Sequence, residues 1–302
     1  MNRRGLPVLP TIAEPFPAAF RDLLREILSR GPRLHGDRVE QLPRRRAAYG
    51  TSGTFAGHRP YVCGDDLRRL DWAAYARSDE LFIKQLEEEE RRVATILLDL
   101  SPRLAVGTPP RRLAALRLAA VIGGLALRHL DGLTVIAPGA DGTAVSTFAG
   151  VADIDRLLTV LTELPFVDAD PDAGMPLVLR HGTRGRVHWL SDFTDPRAAE
   201  RALGLLRRRG GRAIGWLPSL PEDREPPQQG YVEVADPVTG ERLVLTVDRA
   251  LRAAMQRELD VLRRAQDRVF AQSGCALVRW PVPPEGDVSW RTYEEVLRQC
   301  RT

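Results

Sequence analysis

Apolar residues follow two different patterns along most of the chain. Continuous apolar runs that contain β-branched residues alternate with longer segments whose apolar residues recur every three to four positions. The first pattern is typical of buried parallel strands and the second of helices. The strand-like runs are "VATILLD" from Val93, "LTVIAPG", "GRVHWLSDF", "RAIGWLP" and "CALVRWPV". We therefore predict an α/β fold, a three-layer, doubly wound, mostly parallel sheet of Rossmann type.

Two segments interrupt this alternation. The run "YVEVADPVTGERLVLTV" contains two stretches of alternating polarity joined by a turn with Pro and Gly, which predicts an inserted β-hairpin at residues 230–247. Near the start, "PAAFRDLLREILSR" has the apolar spacing of a short helix. We predict two parts, an N-terminal arm with a charged segment at residues 1–92 and the α/β domain at residues 93–302.

Composition narrows the functional classes. The longest apolar run, Leu118–Leu127, is shorter than the about 20 residues that a membrane span needs. The first residues lack the apolar core of a secretion signal, so we expect a cytoplasmic protein. The 44 basic and 40 acidic residues are spread along the chain, and a nucleic-acid partner is not indicated. It stays open as an alternative through the arginine-rich stretches "PRRRAAYG" and "RALGLLRRRGGR".

The ends of the predicted strands carry the candidate chemistry. Asp99 follows the first strand and Asp192 follows "HWLS", with hydroxyls nearby at Ser101 and Ser191. Ligands bind at the carboxyl ends of such strands, and oxygen donors suit a hard cation such as Mg²⁺. The plainer interpretation is that each aspartate caps the next helix or binds loop amides. The nucleotide-binding, zinc-protease and serine-hydrolase motifs G-x-x-x-x-G-K-[ST], G-x-G-x-x-G, H-E-x-x-H and G-x-S-x-G are absent from the sequence.

A second charged segment, Arg59–Arg77, reads "RPYVCGDDLRRLDWAAYAR". We interpret it as a structural cluster of ion pairs and helix caps, with the rings of Trp72 and Tyr75 buried. Acid-base catalysis by its aspartates is the alternative.

This segment resembles the signature of the domain of unknown function 58 family, R-x-Y-x-x-G-D-D-x-R-x-x-D-W followed by A-R. The resemblance continues through "LFIKQLEEE", "ILLDLS", "LSDF" and the hairpin, over most of residues 45–300. The residues that match the signature are Arg59, Tyr61, Gly64, Asp65, Asp66, Arg68, Asp71, Trp72 and Arg77.

The resemblance implies a von Willebrand factor A-like domain with a family-specific N-terminal segment. In such domains a D-x-S-x-S motif and a later aspartate build a metal-ion-dependent adhesion site. Asp99, Ser101 and Asp192 stand at three of those places, but Arg103 replaces the last serine. A guanidinium there repels a cation and can bridge the two aspartates. We expect a degenerate site that holds no cofactor or binds Mg²⁺ weakly.

The resemblance also implies a partner, because family members are often encoded beside MoxR-type AAA+ ATPases. We expect a non-enzymatic protein-protein interaction module, an adaptor or co-chaperone that acts with such an ATPase or its client through the strand-end face. Two alternatives stay open, a metal-assisted phosphoester hydrolase that uses Asp99 and Asp192, and an arginine-rich nucleic-acid binder.

Overall fold

The chain forms two compact units, one of residues 1–37 and 92–302 and the other of residues 38–91. The computed structural model describes residues 14–30, 54–87, 93–107, 109–130, 132–139, 142–165, 174–181, 186–284, 286–287 and 289–299. The basic stretch at residues 43–50, which the nucleic-acid alternative invokes, lies outside them.

Ten strands and eight α-helices make up the described parts of the two units. The strands are β1 (Thr54–Pro60), β2 (Phe82–Glu87), β3 (Val93–Leu98), β4 (Gly132–Gly139), β5 (Gly142–Phe148), β6 (Arg186–Leu190), β7 (Arg212–Ser219), β8 (Gly230–Ala235), β9 (Arg242–Val247) and β10 (Ala276–Pro281). The helices are α1 (Ala18–Arg30), α2 (Trp72–Ser78), α3 (Arg111–His129), α4 (Ile154–Glu163), α5 (Met175–His181), α6 (Pro196–Arg208), α7 (Arg249–Ser273) and α8 (Trp290–Gln299).

The larger unit is built on a six-stranded sheet in the order β10-β7-β6-β3-β4-β5. All neighbouring strands are parallel except β4 and β5, which are antiparallel. The pair β8-β9 forms a separate antiparallel hairpin between β7 and α7. These features confirm the predicted doubly wound, mostly parallel sheet with an inserted hairpin.

Both faces of this sheet are covered because successive residues of each strand point to opposite sides. In β3, Ile96 belongs to one buried cluster, with residues of α1, α3, α4 and α8. The next residue, Leu97, belongs to a second cluster, with residues of α5, α6 and α7. The helices therefore form two layers around the sheet, which confirms the three-layer architecture.

Helix α1 packs in the core of the larger unit. Its buried residues Phe20, Leu24 and Ile27 belong to the same cluster as the sheet residues, and the ring of Phe20 lies 6.2 Å from that of Tyr293 in α8. Our division grouped this helix with the segment that ends at residue 92. The structure differs because an amphipathic helix needs an apolar partner surface, and the sheet unit supplies it.

The smaller unit is a two-stranded antiparallel sheet of β1 and β2 joined by a helical connection. That connection contains a short 3-10 helix, Leu67–Arg69, followed by α2. Among the residues of this unit whose burial is described, Leu70, Ala74 and Ile83 are the buried apolar ones. Across both units, no described helix is long and apolar enough to cross a membrane.

Candidate functional site

The ends of β3 and β6 bring the two predicted aspartates to the same edge of the sheet. The strands are parallel neighbours, so their carboxyl ends lie side by side. The backbone N–H of Asp99 donates to the carbonyl of Leu190 at 2.9 Å. Asp99 and Asp192 are both buried, at 4% and 3% exposure. We call this region the strand-end site, formed by Asp99, Ser101, Arg103, Ser191 and Asp192.

Internal donors hold both oxygens of the Asp99 carboxylate. Its Oδ1 accepts from the backbone N–H of Ser101 at 3.0 Å, and its Oδ2 accepts from the hydroxyl of Ser191 at 2.7 Å. Burial raises the pKa of Asp99, and the nearby charge of Asp192 raises it further. The site therefore favours the protonated form of Asp99 more than water does.

Arg103 forms an ion pair with Asp192. Its Nε donates to Oδ2 of Asp192 at 3.0 Å, while Oδ1 accepts from the backbone N–H and the hydroxyl of Thr194 at 3.1 and 3.0 Å. The Asp192 side chain is 1% exposed and that of Arg103 is 28% exposed. Arg103 thus supplies the positive charge beside a buried carboxylate.

These residues do not fit a bound divalent cation as they are arranged. Two carboxylates and a hydroxyl are suitable ligands in kind, and the buried hydroxyl of Ser101 has no hydrogen-bond partner among the described residues. However, the guanidinium of Arg103 already neutralises Asp192, and a second cation beside it would be repelled.

Sequence reasoning missed three residues that shape the site. Thr194 lies two positions after Asp192, a turn spacing that could have identified it. Phe193 has φ +50°, and its ring packs against Trp189 and Phe270. From α7, Gln266 donates to the carbonyls of Asp192 and Phe193, at 3.4 and 3.1 Å. Nothing local in the sequence points to Gln266, because it lies more than 70 positions along the chain.

The charge of Arg103 acts on the turn of the hairpin β8-β9. Hydrogen bonds from the backbone of Val238 and Thr239 lower the pKa of Asp236 in the turn, and the charge of Arg103 lowers it further. The hairpin exposes large apolar side chains, with Tyr231 at 86% and Val244 at 67% exposure. Both side chains lie on one face, because Tyr231 pairs with Thr246 and Glu233, two residues on, pairs with Val244.

The family-signature residues lie in the smaller unit, where Arg59 and Asp65 form a two-point ion pair. Nη1 of Arg59 donates to Oδ2 of Asp65 at 2.7 Å, and Nη2 donates to Oδ1. The backbone N–H of Val62 also donates to Asp65, and Gly64 has φ +106°, a conformation that glycine adopts without strain. The hydrogen bond from Arg59 lowers the pKa of Asp65 to about 2.

Two other signature aspartates cap helices. Asp66 accepts from the backbone N–H of Arg68 and caps the 3-10 helix. Asp71 accepts from the backbone of Ala73 and Ala74 at the start of α2, and its Oδ2 lies 2.7 Å from Nε2 of His58. The hydrogen bond with His58 is the largest of the effects that lower the pKa of Asp71 to about 2.

The aromatic part of the signature differs from the sequence expectation. Trp72 is 65% exposed and Tyr75 is 37% exposed, so the prediction that their rings are buried was wrong. The two rings contact each other edge to face at 6.3 Å. Their helix α2 buries only Ala74, because one short helix against two strands offers little apolar surface.

The remaining signature residues lie nearer the surface. Arg68 and Arg77 are exposed in this unit, and the backbone N–H of Tyr61 donates to the carbonyl of Leu81.

Comparison with known proteins identifies the family. The model of the family described as protein of unknown function DUF58 matches residues 57–265, and the chain belongs to that family. The chain is 29% identical over 249 residues to the uncharacterized proteins Rv1480 of Mycobacterium tuberculosis and Mb1516 of Mycobacterium bovis. Each alignment covers 76% of this chain and 74% of the relative.

Solved structures with a similar backbone path include three proteins whose sequence identity to this chain is low. An aerotolerance-related membrane protein from Bacteroides fragilis has a TM-score of 0.37 at 16% identity, covering 61% of this chain and 98% of its own. BatB from Bacteroides thetaiotaomicron has a TM-score of 0.37 at 13% identity, with coverages of 69% and 99%. The SpRpn10 VWA domain has a TM-score of 0.38 at 15% identity, with coverages of 64% and 90%.

Proposed function

We propose that this protein is a non-enzymatic interaction module that binds a partner protein through the strand-end site and the adjacent hairpin. The partner would be a MoxR-type AAA+ ATPase or that ATPase's client, in protein assembly or remodelling. Such an adaptor would work in the cytoplasm, where the ATPase has its ATP.

The state of the two buried carboxylates carries this proposal. Each of the four oxygens of Asp99 and Asp192 accepts a hydrogen bond from a residue of the chain itself. A carboxylate that acts as a nucleophile or general base needs an oxygen that can reach a substrate. The arrangement supports a rigid, preformed surface rather than a reaction centre.

The hairpin beside the strand-end site supports the same interpretation. Exposed aromatic and aliphatic side chains are common at the centres of protein interfaces, where Tyr, Trp and Arg contribute most of the binding energy. Tyr231 and Val244 provide such side chains on one face of the hairpin, and the charge of Arg103 acts on Asp236 in its turn.

Metal-assisted phosphoester hydrolysis is a second candidate function. The buried hydroxyl of Ser101, which has no partner among the described residues, is the observation that favours it. This function would require Arg103 to leave Asp192. Turnover of a generic phosphoester that disappears in Asp99→Ala would support it.

Affinity capture from the native cells, followed by mass spectrometry, tests the proposal. The bait is the full chain, with Asp99→Ala and Arg103→Ser as variants and Arg156→Ser as a control on a distant, exposed ion pair. We expect an AAA+ ATPase with the unaltered bait and the control, and less of it with the two variants. Recovery of no ATPase, or equal recovery by all baits, would contradict the proposal.

A further inference from the structure

A group of arginines whose side chains have no partner among the described residues lies at the edge of the sheet opposite the strand-end site. Helix α6 ends at Arg208, Arg209 caps it, and β7 begins at Arg212 after a turn of two glycines. Arg208, Arg209 and Arg212 are all exposed. We call these three residues the basic edge. Because helices run opposite to the strands in this fold, the end of α6 and the start of β7 share the amino edge of the sheet.

Within the described part of the chain, no side-chain hydrogen bond or ion pair joins the basic edge to another residue, and Arg209 and Arg212 make contacts through their backbone alone. Its neighbour Arg207 differs, since Nη1 of that residue donates to the carbonyl of Gln272 at the end of α7. Other arginines of the larger unit pair with carboxylates, such as Arg111 with Asp223 and Arg279 with Asp267.

No acidic residue lies close to the basic edge in the sequence. Glu200 is the last acidic residue before it and Glu222 is the first after it. Along α6, Glu200 is about 12 Å from Arg208 at the usual rise of a helix. The negative end of the α6 dipole favours positive side chains in its last turn, which accounts for Arg208 and Arg209. It does not account for Arg212, which lies in the next strand. There the register places Arg212 beside Arg186 of β6, whose own side chain donates to the carbonyl of Gln299.

The chemistry of the edge favours an acidic segment of a protein over a nucleic acid. Leu205 is 46% exposed and lies one helical turn before the basic edge, so apolar surface adjoins the positive charge. Single-stranded nucleic acids are bound largely by stacking on aromatic side chains. The aromatic residue of α6 and β7, Trp216, is fully buried. Guanidinium groups bind carboxylates through two parallel hydrogen bonds, and an apolar side chain of the ligand can contact Leu205.

We propose that the basic edge docks an acidic segment of a partner protein whose carboxylates are interspersed with apolar side chains. This surface is separate from the strand-end site, at the opposite edge of the sheet. The protein would therefore have two binding edges, one for each of two proteins.

Fluorescence anisotropy with the full-length protein tests this proposal. The probe is a short labelled peptide in which glutamate alternates with leucine, and the comparison ligands are a peptide with glutamine for glutamate, single-stranded DNA and duplex DNA. The test variant carries Arg208→Gln, Arg209→Gln and Arg212→Gln. A matched control carries Arg25→Gln, Arg30→Gln and Arg156→Gln, which removes the same charge from exposed surface pairs elsewhere.

We expect the glutamate peptide to bind the unaltered protein and the control at about 0.15 M salt. The basic-edge variant should bind at least about tenfold more weakly, and the glutamine peptide should not bind. Equal binding by the two triple variants, or no binding by the unaltered protein, would overturn the proposal. Tighter binding of either DNA that depends on the same three arginines would also overturn it, in favour of a nucleic acid. Loss of the peptide leaves ATPase capture through the strand-end site unchanged, so the two proposals fail separately.

Discussion

Arg103 is the residue on which the character of the strand-end site depends. Its guanidinium stands beside a carboxylate that is 1% exposed, and a buried carboxylate without a cation is costly. We predict that Arg103→Ser lowers the free energy of unfolding by about 2 kcal/mol, as measured by urea denaturation, because a buried carboxylate loses a charged hydrogen-bond donor that is itself partly exposed. Arg103→Lys keeps the positive charge but loses the planar guanidinium group, so it should lower the free energy of unfolding by less than Arg103→Ser does.

The same substitution tests the cation preference of the site. We predict that the unaltered protein shows no sub-millimolar binding of Mg²⁺ or Mn²⁺ in isothermal titration. Arg103→Ser should bind the ion measurably, because it removes the repelling charge and restores a hydroxyl ligand. Sub-millimolar binding by the unaltered protein that is lost in Asp99→Ala would show that Arg103 does not displace the ion.

The raised pKa of Asp99 predicts a pH dependence of stability. In the unfolded chain this carboxyl ionises near pH 4, whereas the folded site retains its proton to higher pH. Stability therefore falls as pH rises from about 4 through the folded-state pKa, because the folded state binds more protons. Asp99→Asn cannot ionise and therefore does not lose stability in this way, so its stability relative to the unaltered protein should increase with pH. A stability difference that stays constant across this range would contradict the assignment.

Asp71 should matter for the stability of the smaller unit. Asp71→Ala removes the cap of α2 and the bond to His58, so we predict faster amide exchange throughout α2. Asp66→Ala, which removes only the cap of the 3-10 helix, serves as the control and should have a smaller effect. Because the pKa of Asp71 is lowered to about 2, its contribution is complete above about pH 4 and disappears as pH falls through 2. Unchanged exchange in α2 with weakened partner binding would assign Asp71 to the interface instead.

At the scale of elements, a glycine fixes how closely α7 approaches the sheet. A Cβ at Gly215 in β7 would lie 2.4 Å from ring atoms of Phe270, whereas a Cβ at Gly204 in α6 meets nothing within 4 Å. We predict that Gly215→Ala destabilises the protein by about 1–3 kcal/mol through overpacking. Gly204→Ala should stabilise it by up to about 1 kcal/mol through helix propensity. Thermal melting of the two variants measures both effects, and equal shifts would contradict the packing argument.

The elements that the sequence predicted best are those with a long, one-sided apolar pattern. Strands β3, β6, β7 and β10 and the hairpin lie where their patterns indicate. Strand β5 was missed because all but one of its residues are exposed or half-buried and it lacks a continuous apolar run. Helix α5 was missed because it has only seven residues, too few for a helical period to be recognised.

At the scale of the whole molecule, the parallel sheet determines which residues meet. The sequence predicted that Asp99, Ser101 and Asp192 share one edge, because each follows a parallel strand. It did not predict Gln266 or the effect of Arg103 on Asp236, since both depend on how α7 and the hairpin are placed relative to that edge. The exposure of Trp72 was also missed, because a signature residue carries no information about how much surface its small unit can bury.

The two edges of the sheet carry opposite chemistry. At the carboxyl edge, Arg103 pairs with a buried carboxylate, and the exposed apolar hairpin belongs to the same proposed surface. At the amino edge lie the three exposed arginines of the basic edge. Binding surfaces on opposite edges would let one molecule hold two proteins at once.

If affinity capture recovers the proposed ATPase, the affinity of the purified protein for it, measured with hairpin variants, tests the central claim most directly. Tyr231→Ser and Val244→Ser remove exposed side chains, so they should leave the melting temperature unchanged. Val151→Ser removes an exposed apolar side chain outside the hairpin and is the matched control. We predict that both hairpin variants weaken binding about tenfold or more while the control binds normally. Normal binding by the hairpin variants would contradict the assignment of this edge as the partner surface.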